Sequence, residues 1–148
     1  MENKDKIRIK AMCLLIDKSQ RVLLGKDYDR VKNENFYRVL GGSLNSGENA
    51  GDGVRREIRE ELNCEIENLE ALEIINNEFV YNGKRGHEIV HLFQGNVSNR
   101  ELETQNMIHI IEDGYEFDAE WVPVENIVGR KVILYPAFEY EKFLWAQK

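Results

Sequence analysis

The spacing of apolar and polar residues over the first 40 positions predicts strands. Ile7 to Ile16 (IRIKAMCLLI) and Arg21 to Tyr28 (RVLLGKDY) are rich in branched and apolar residues. Asp17, Lys18, Ser19 and Gln20 between them have the composition of a turn, so the pair predicts a hairpin. Phe36 to Leu40 (FYRVL) predicts a short strand running into Gly41 and Gly42. From Asn49 to Leu62 the period changes: Ala50, Val54, Ile58 and Leu62 recur every fourth residue and build one apolar stripe of a helix. Asn49 suits its N-cap and Asp52 the positive end of its dipole, while Asn63 tolerates the left-handed conformation of a helix stop.

Leu69 to Tyr81 and Glu88 to Val97 flank Asn82-Gly83, the strongest short-range signal for a hairpin, and Lys84, Arg85 and Gly86 are expected to lengthen that turn. Residues 98–118 are polar and mixed, which predicts a long loop with a strand through Met107 to Ile111. Glu120 to Val124 (EWVPV) predicts a last short strand. Pro136 to Lys148 predicts a closing helix with Ala137, Tyr140, Phe143 and Leu144 on its inner side. Strands that bracket one strong helix predict an α/β domain with a mixed sheet between helices, and 148 residues fit one such domain.

The stretch HEIVH, residues 87 to 91, spells a pattern that on a helix binds zinc. The local pattern opposes a helix, because the segment follows a hairpin turn and has the β-branched pair Ile89-Val90 at its centre. In a strand rising about 3.3 Å per residue, His87 and His91 lie roughly 13 Å apart, too far to share an ion with bonds near 2 Å. Leu92, Phe93 and Gln94 continue neither zincin pattern.

Charge and composition exclude further classes. With 27 acidic against 20 basic residues the formal charge is -7, a surface that repels extended nucleic acid. No apolar run is long enough to span a bilayer and no leader pattern opens the chain, so a cytoplasmic protein without a membrane partner is expected. Cys13 and Cys64 stand alone in apolar surroundings and read as reduced, packed thiols. A small anionic ligand remains compatible with this charge if a divalent cation held by carboxylates supplies the positive field.

The chemistry concentrates on the helix. In RREIREEL, Glu57, Glu60 and Glu61 stand at i, i+3 and i+4, so three carboxylates project from one face and repel. Two readings follow from this segment: a solvated face laced with Arg55, Arg56 and Arg59, or a site for a hard cation. All-oxygen ligation favours Mg²⁺ or Mn²⁺ over zinc.

Five residues lead from Gly42 to Glu48, seven more to Arg56-Glu57, and then come Ile58, Arg59, Glu60, Glu61, Leu62, Asn63 and Cys64. This segment resembles the Nudix box, Gly-x5-Glu-x7-Arg-Glu-U-x-Glu-Glu-x-Gly-U with U apolar, and departs from it at Asn63, where the box has glycine. Leu40 stands where proline often precedes the paired glycines and Gly53 where alanine is common; neither change removes a chemical group. The flanking strands, the hairpin after the helix and EWVPVENI also look like that fold in order.

The resemblance implies a Nudix-like α/β/α sandwich formed by a single hydrolase domain. It implies hydrolysis of a diphosphate linkage in a nucleoside diphosphate derivative or related nucleotide, with Mg²⁺, or Mn²⁺, as cofactor and water attacking phosphorus. By the same resemblance Glu57, Glu60 and Glu61 bind metal, joined by the carbonyl of Gly41 and by a carboxylate from a later loop, for which Glu116 is the first choice and Glu120 the second. Glu57 is implied as the acceptor of the water's proton, Arg56 as the arginine that orients a box carboxylate, and Glu48 as the first box acid. Arg38, Glu78, Phe79 and Arg85 are expected to line the pocket for the rest of a small phosphorylated substrate. A homodimer is compatible with the resemblance. The alternative is a catalytically silent nucleotide-sensing module of the same fold, which has no need of an intact carboxylate trio.

Overall fold

A computed structural model describes residues 6–144. The first hairpin forms as its pattern predicts. Strand β1 (Arg8–Ile16) turns into β2 (Arg21–Asp29) around Asp17, whose carboxylate accepts from the backbone N–H groups of Ser19 at 3.0 Å and Arg21 at 2.8 Å. These bonds replace the ladder at the turn with a side-chain acceptor, the usual reason for aspartate there.

Strand β3 (Glu34–Ser43) is longer than predicted and continues through both glycines. It pairs with β2 from Asp29↔Glu34 to Leu24↔Val39, then changes partner and pairs with β1 from Cys13↔Leu40 to Lys10↔Ser43. Gly41 sits at this change with φ +148°, where a Cβ would lie 2.1 Å from the carbonyl oxygen of Ala11. Only glycine fits there.

Helix α1 (Ala50–Leu62) follows, with both predicted caps in place. The Asn49 side chain accepts from the Asp52 N–H at 2.8 Å, and Asn63 closes the helix at φ 55°, ψ 41°. Gly53 brings the helix close to the preceding loop: a Cβ there would meet Leu44 Cδ2 at 2.2 Å, so alanine would require the Leu44 side chain to shift.

Beyond α1, β4 (Ile66–Tyr81) and β5 (Lys84–Val97) form a long hairpin, and β5 runs parallel to β1 from Arg8↔Glu88 to Leu15↔Gly95. A 3₁₀ turn over Arg100–Thr104 leads to the hairpin β6 (Met107–Glu112) and β7 (Tyr115–Pro123), followed by α2 (Val124–Val128), β8 (Leu134–Tyr135) and α3 (Glu141–Leu144). The mixed sheet has the order β4-β5-β1-β3-β2-β7-β6, with β8 on β3. One face packs Val54, Ile58 and Leu62 of α1 against Leu15, Leu40, Phe93, Ile110 and Trp121. The other packs Leu14, Leu24 and Leu92 against Ile127 of α2 and Leu144 of α3. This is the predicted sandwich of helices around a mixed sheet. Among the described residues no helix is long and apolar enough to cross a membrane.

Four local expectations are corrected. Lys84 to Gly86 do not lengthen the turn; they pair with Tyr81 to Phe79, and the loop is Asn82-Gly83 alone, both at positive φ. The polar segment 98–118 is mostly ordered, because Asp113-Gly114, at φ 51° and 78°, makes a second two-residue hairpin turn. The last strand of the sheet's core begins at Tyr115 and ends at Pro123, so Val124 already belongs to α2. The closing helix is short among the described residues: Tyr140 and Leu144 are buried as expected, Ala137 is exposed, and residues 145–148 lie outside the described part. HEIVH lies wholly within β5, with His87 opposite Glu78 and His91 opposite Ile74.

Candidate active site

The site is assembled by α1 packing across the glycine-rich end of β3. Gly42 is the tightest point, since a Cβ there would lie 2.3 Å from Glu57 Oε1. The missing side chain admits the carboxylate of Glu57, which is 6% exposed, into the gap between helix and strand. Glu60 and Glu61 follow on the same helical face.

Arg56 ties the segment together. Its Nε and Nη2 donate to Glu48 Oε2 and Oε1 at 2.8 and 3.0 Å, a bidentate pair, and Nη2 also donates to the carbonyl of Ser43 at 3.0 Å. Its Nη1 donates to Glu57 Oε2 at 3.0 Å and reaches Glu60 at 3.3 Å. The Arg56 guanidinium holds the Glu48 carboxyl down at about 2, helped by the Asn45 N–H. Glu48 is thereby an anchor for the arginine, and the arginine orients Glu57 and Glu60.

The fourth acid comes from β6, where Glu112 offers an oxygen that lies, with one each from Glu57 and Glu60, within 4.8 Å of the others. Residue alternation on the β6–β7 hairpin explains why it is Glu112 and not Glu116 or Glu120. Ile108 and Ile110 of β6 and Phe117, Ala119 and Trp121 of β7 face α1, so Glu112, opposite Tyr115, shares their face. Glu116 and Glu120 fall on the other face: Glu116 Oε1 meets His109 Nε2 at 2.9 Å, and Glu120 Oε1 accepts from the Tyr37 hydroxyl at 3.0 Å. Glu116, the expected partner of the helix acids, therefore lies away from them, and Glu112 is the β6–β7 carboxylate that the fold brings to Glu57 and Glu60.

Electrostatically the group is under stress. Burial pushes the Glu57 carboxyl up to about 7, and contact with Glu112 adds to the rise. Glu61 is pushed up to about 9, by burial first and then by the charges of Glu112 and Glu57, with Arg38 pulling the other way. One oxygen of Glu61 is buried without a hydrogen-bond partner. Converging carboxylates, raised affinities for protons and an orphaned acceptor are what an all-oxygen cation site looks like before a cation neutralises it. The donor set fits Mg²⁺ or Mn²⁺.

Of the expected pocket residues, Arg38 and Phe79 line a cavity of about 180 Å³ between the tips of the β2–β3 and β4–β5 hairpins, and Glu78 and Arg85 do not. Glu78 is exposed on the outer side of β4, and Arg85 lines a separate groove with Lys84 and His87. The cavity was invisible to sequence reading because it needs two hairpin tips to meet: Asn82 accepts from the Arg30 N–H at 2.7 Å and its own N–H donates to Asp29 at 3.0 Å. Arg38 belongs to both places. It lines the cavity, stacks 4.6 Å from the Phe117 ring centroid, pairs with Asp27 at 3.7 Å, and its charge is felt at Glu61.

The sequence model of the NUDIX domain matches residues 6–142. Among solved structures, the MutT protein from Methanosarcina mazei Go1 superposes with a TM-score of 0.61 at 18% identity, over 99% of this chain and 96% of that one. The MutT protein from Bacillus halodurans gives 0.61 at 18% identity over 95% and 79%, and a NUDIX hydrolase from Nitrosomonas europaea 0.59 at 15% over 96% and 88%. At these identities the likeness is one of fold.

Proposed function

This chain belongs to the NUDIX domain family and is a Nudix-type pyrophosphohydrolase, and on that premise we propose that it cleaves the diphosphate linkage of a nucleoside diphosphate derivative or related nucleotide with Mg²⁺ held by Glu57, Glu60, Glu61 and Glu112. The observation that supports this most is the gathering of Glu57, Glu60 and Glu112, with Glu61 beside them contributing one buried, unpartnered oxygen, on a face that a single arginine organises. Held there, Mg²⁺ would neutralise phosphoryl charge and lower the pKa of the attacking water.

The chain's own groups account for the rest. Glu57, set into the gap at Gly42 and held by Arg56 Nη1 at 3.0 Å, is the carboxylate placed to accept the proton of the water. Arg56 keeps Glu57 from turning away. Gly41, where β3 changes partner next to Gly42, offers its carbonyl as a further oxygen ligand. Arg38, braced by Phe117 and Asp27, sits between the acids and the cavity, where a guanidinium meets the phosphoryl group distal to the water. Phe79 and its aromatic neighbours offer the wall against which the nucleoside packs. A silent sensor has no use for four acids forced together, with Glu57 and Glu61 pushed toward their protonated forms, so the enzyme reading is favoured.

The test is a panel of nucleoside diphosphate derivatives and triphosphates incubated with Mg²⁺ in ¹⁸O-water, with phosphate products resolved by mass. Mg²⁺-dependent cleavage with one label in a phosphoryl product is expected. Full turnover in EDTA, or no cleavage of any member, would contradict the proposal.

A further inference from the structure

The cavity between the two hairpin tips has an aromatic side, a polar row, and the carboxylates of Asp27 and Asp29, which are already engaged by Tyr81 and by the N–H groups of Val31, Lys32 and Asn82. Phe36 meets Tyr81 and Tyr135 edge to face, at centroid separations of 5.9 and 5.2 Å, and Phe79 lies beside them. At about 180 Å³ the space is below the roughly 300–1,000 Å³ of pockets that enclose a drug-sized ligand, and suits one planar ring system.

The polar end is a row on adjacent strands. Asn77, 8% exposed, donates from Nδ2 to Glu88 Oε1 at 3.4 Å, and Lys10 Nζ stands 3.6 Å from Glu88 Oε2. Both contacts are long, so the row retains hydrogen-bonding capacity for a ligand. In order it presents a donor, two acceptors and a balancing cation. Resting on the hydrolase reading above, we propose that this cavity selects guanine, with Asn77 donating to O6 and the two oxygens of Glu88 accepting from N1–H and the N2 amino group.

The argument is one of matching edges. Guanine carries a carbonyl followed by two adjacent N–H donors. Adenine and cytosine place a bare ring nitrogen beside a single amino group, and that nitrogen would face an acceptor; uracil has one N–H between two carbonyls. A carboxylate accepts and cannot donate while ionised, so each mismatch leaves a buried group unpaired. Arg38, which lines the same cavity and whose charge is felt at Glu61, then lies between base and carboxylates, which places the diphosphate of one substrate across both sites.

The experiment compares kcat/KM for guanosine, inosine and adenosine diphosphate derivatives that share the same second moiety. Inosine lacks the N2 amino group alone, and guanosine is expected to exceed it roughly tenfold and adenosine roughly a hundredfold. In Glu88→Gln, an amide that accepts from one oxygen only, the guanosine-to-inosine ratio is expected to fall toward one. Equal treatment of the three bases by the unaltered protein, or an undiminished ratio in Glu88→Gln, would overturn the assignment. Calorimetric binding of the three nucleoside diphosphates separates the two ideas: guanine-selective binding with no cleavage upholds the base assignment and refutes the hydrolase reading, whereas cleavage without base selectivity does the reverse. The inosine comparison needs no variant, so a poorly folded Glu88→Gln does not blunt it.

Discussion

Two acidic clusters lie on opposite faces of the β6–β7 region, and their contrast separates chemistry from decoration. On the α1 side Glu57, Glu60, Glu61 and Glu112 converge with like charge; Glu57 and Glu61 are pushed toward their protonated forms, mainly by burial. On the far side His109 is bracketed by Asp118 through Nδ1 and Glu116 through Nε2, each at 2.9 Å, and all three side chains are about half exposed. There the imidazole bridges the two acids, and its bonds to Asp118 and Glu116 raise its pKa, favouring its charged form. An exposed, mutually hydrogen-bonded triad needs nothing further. A partly buried set that repels itself persists where a cation completes it.

The largest expected effect breaks the first cluster. Glu57→Gln or Glu60→Gln should lower Mg²⁺-dependent turnover by roughly 10²–10⁴-fold with the fold intact by circular dichroism, the range seen when a positioned acid–base group or ligand is lost. Next, Glu112→Gln should weaken Mn²⁺ binding at least tenfold, about 1.4 kcal/mol, while Glu116→Gln leaves it unchanged; paramagnetic titration of the two variants would decide between the faces.

A smaller effect concerns pH. Glu57 and Glu61 hold protons in the folded chain above the ordinary carboxyl value of 4.5, so the folded state binds protons that the unfolded chain has released. The stability these two groups contribute to the metal-free protein is therefore fully present below that value and is lost as pH rises through about 7 and about 9. Denaturant titrations across that range should show the decline, and Glu61→Gln should recover on the order of 1 kcal/mol at pH 8. The smallest effect belongs to the second cluster: His109→Asn should leave the melting temperature and Mg²⁺ affinity within error of the parent, since exposed pairs contribute little.

The helix was legible because its information is local. A fourfold apolar period, an asparagine at each end and the spacing from Gly42 to Glu61 specify both the element and its acids without reference to the rest of the chain. Glu112 was not, because its role depends on register. The signal existed: Asp113-Gly114 is a two-residue hairpin turn, and reading it as one puts Glu112 opposite Tyr115 and sends Glu116 to the far face. The cavity depends on two hairpin tips that are far apart in sequence, and on a β3 strand that changes partner at Gly41. Neither is encoded in any one stretch, which is why Arg38 and Phe79 were found there while Glu78 and Arg85 point elsewhere.

The most direct test of the cation site is a calorimetric titration with Mn²⁺ in buffers of different ionisation enthalpy, which counts protons released on binding. Because Glu57 and Glu61 are held protonated in the free protein, binding at pH 7 should release at least a fraction of a proton per ion and should be lost in Glu57→Gln. Binding without proton release, or of equal strength in Glu57→Gln, would contradict the account.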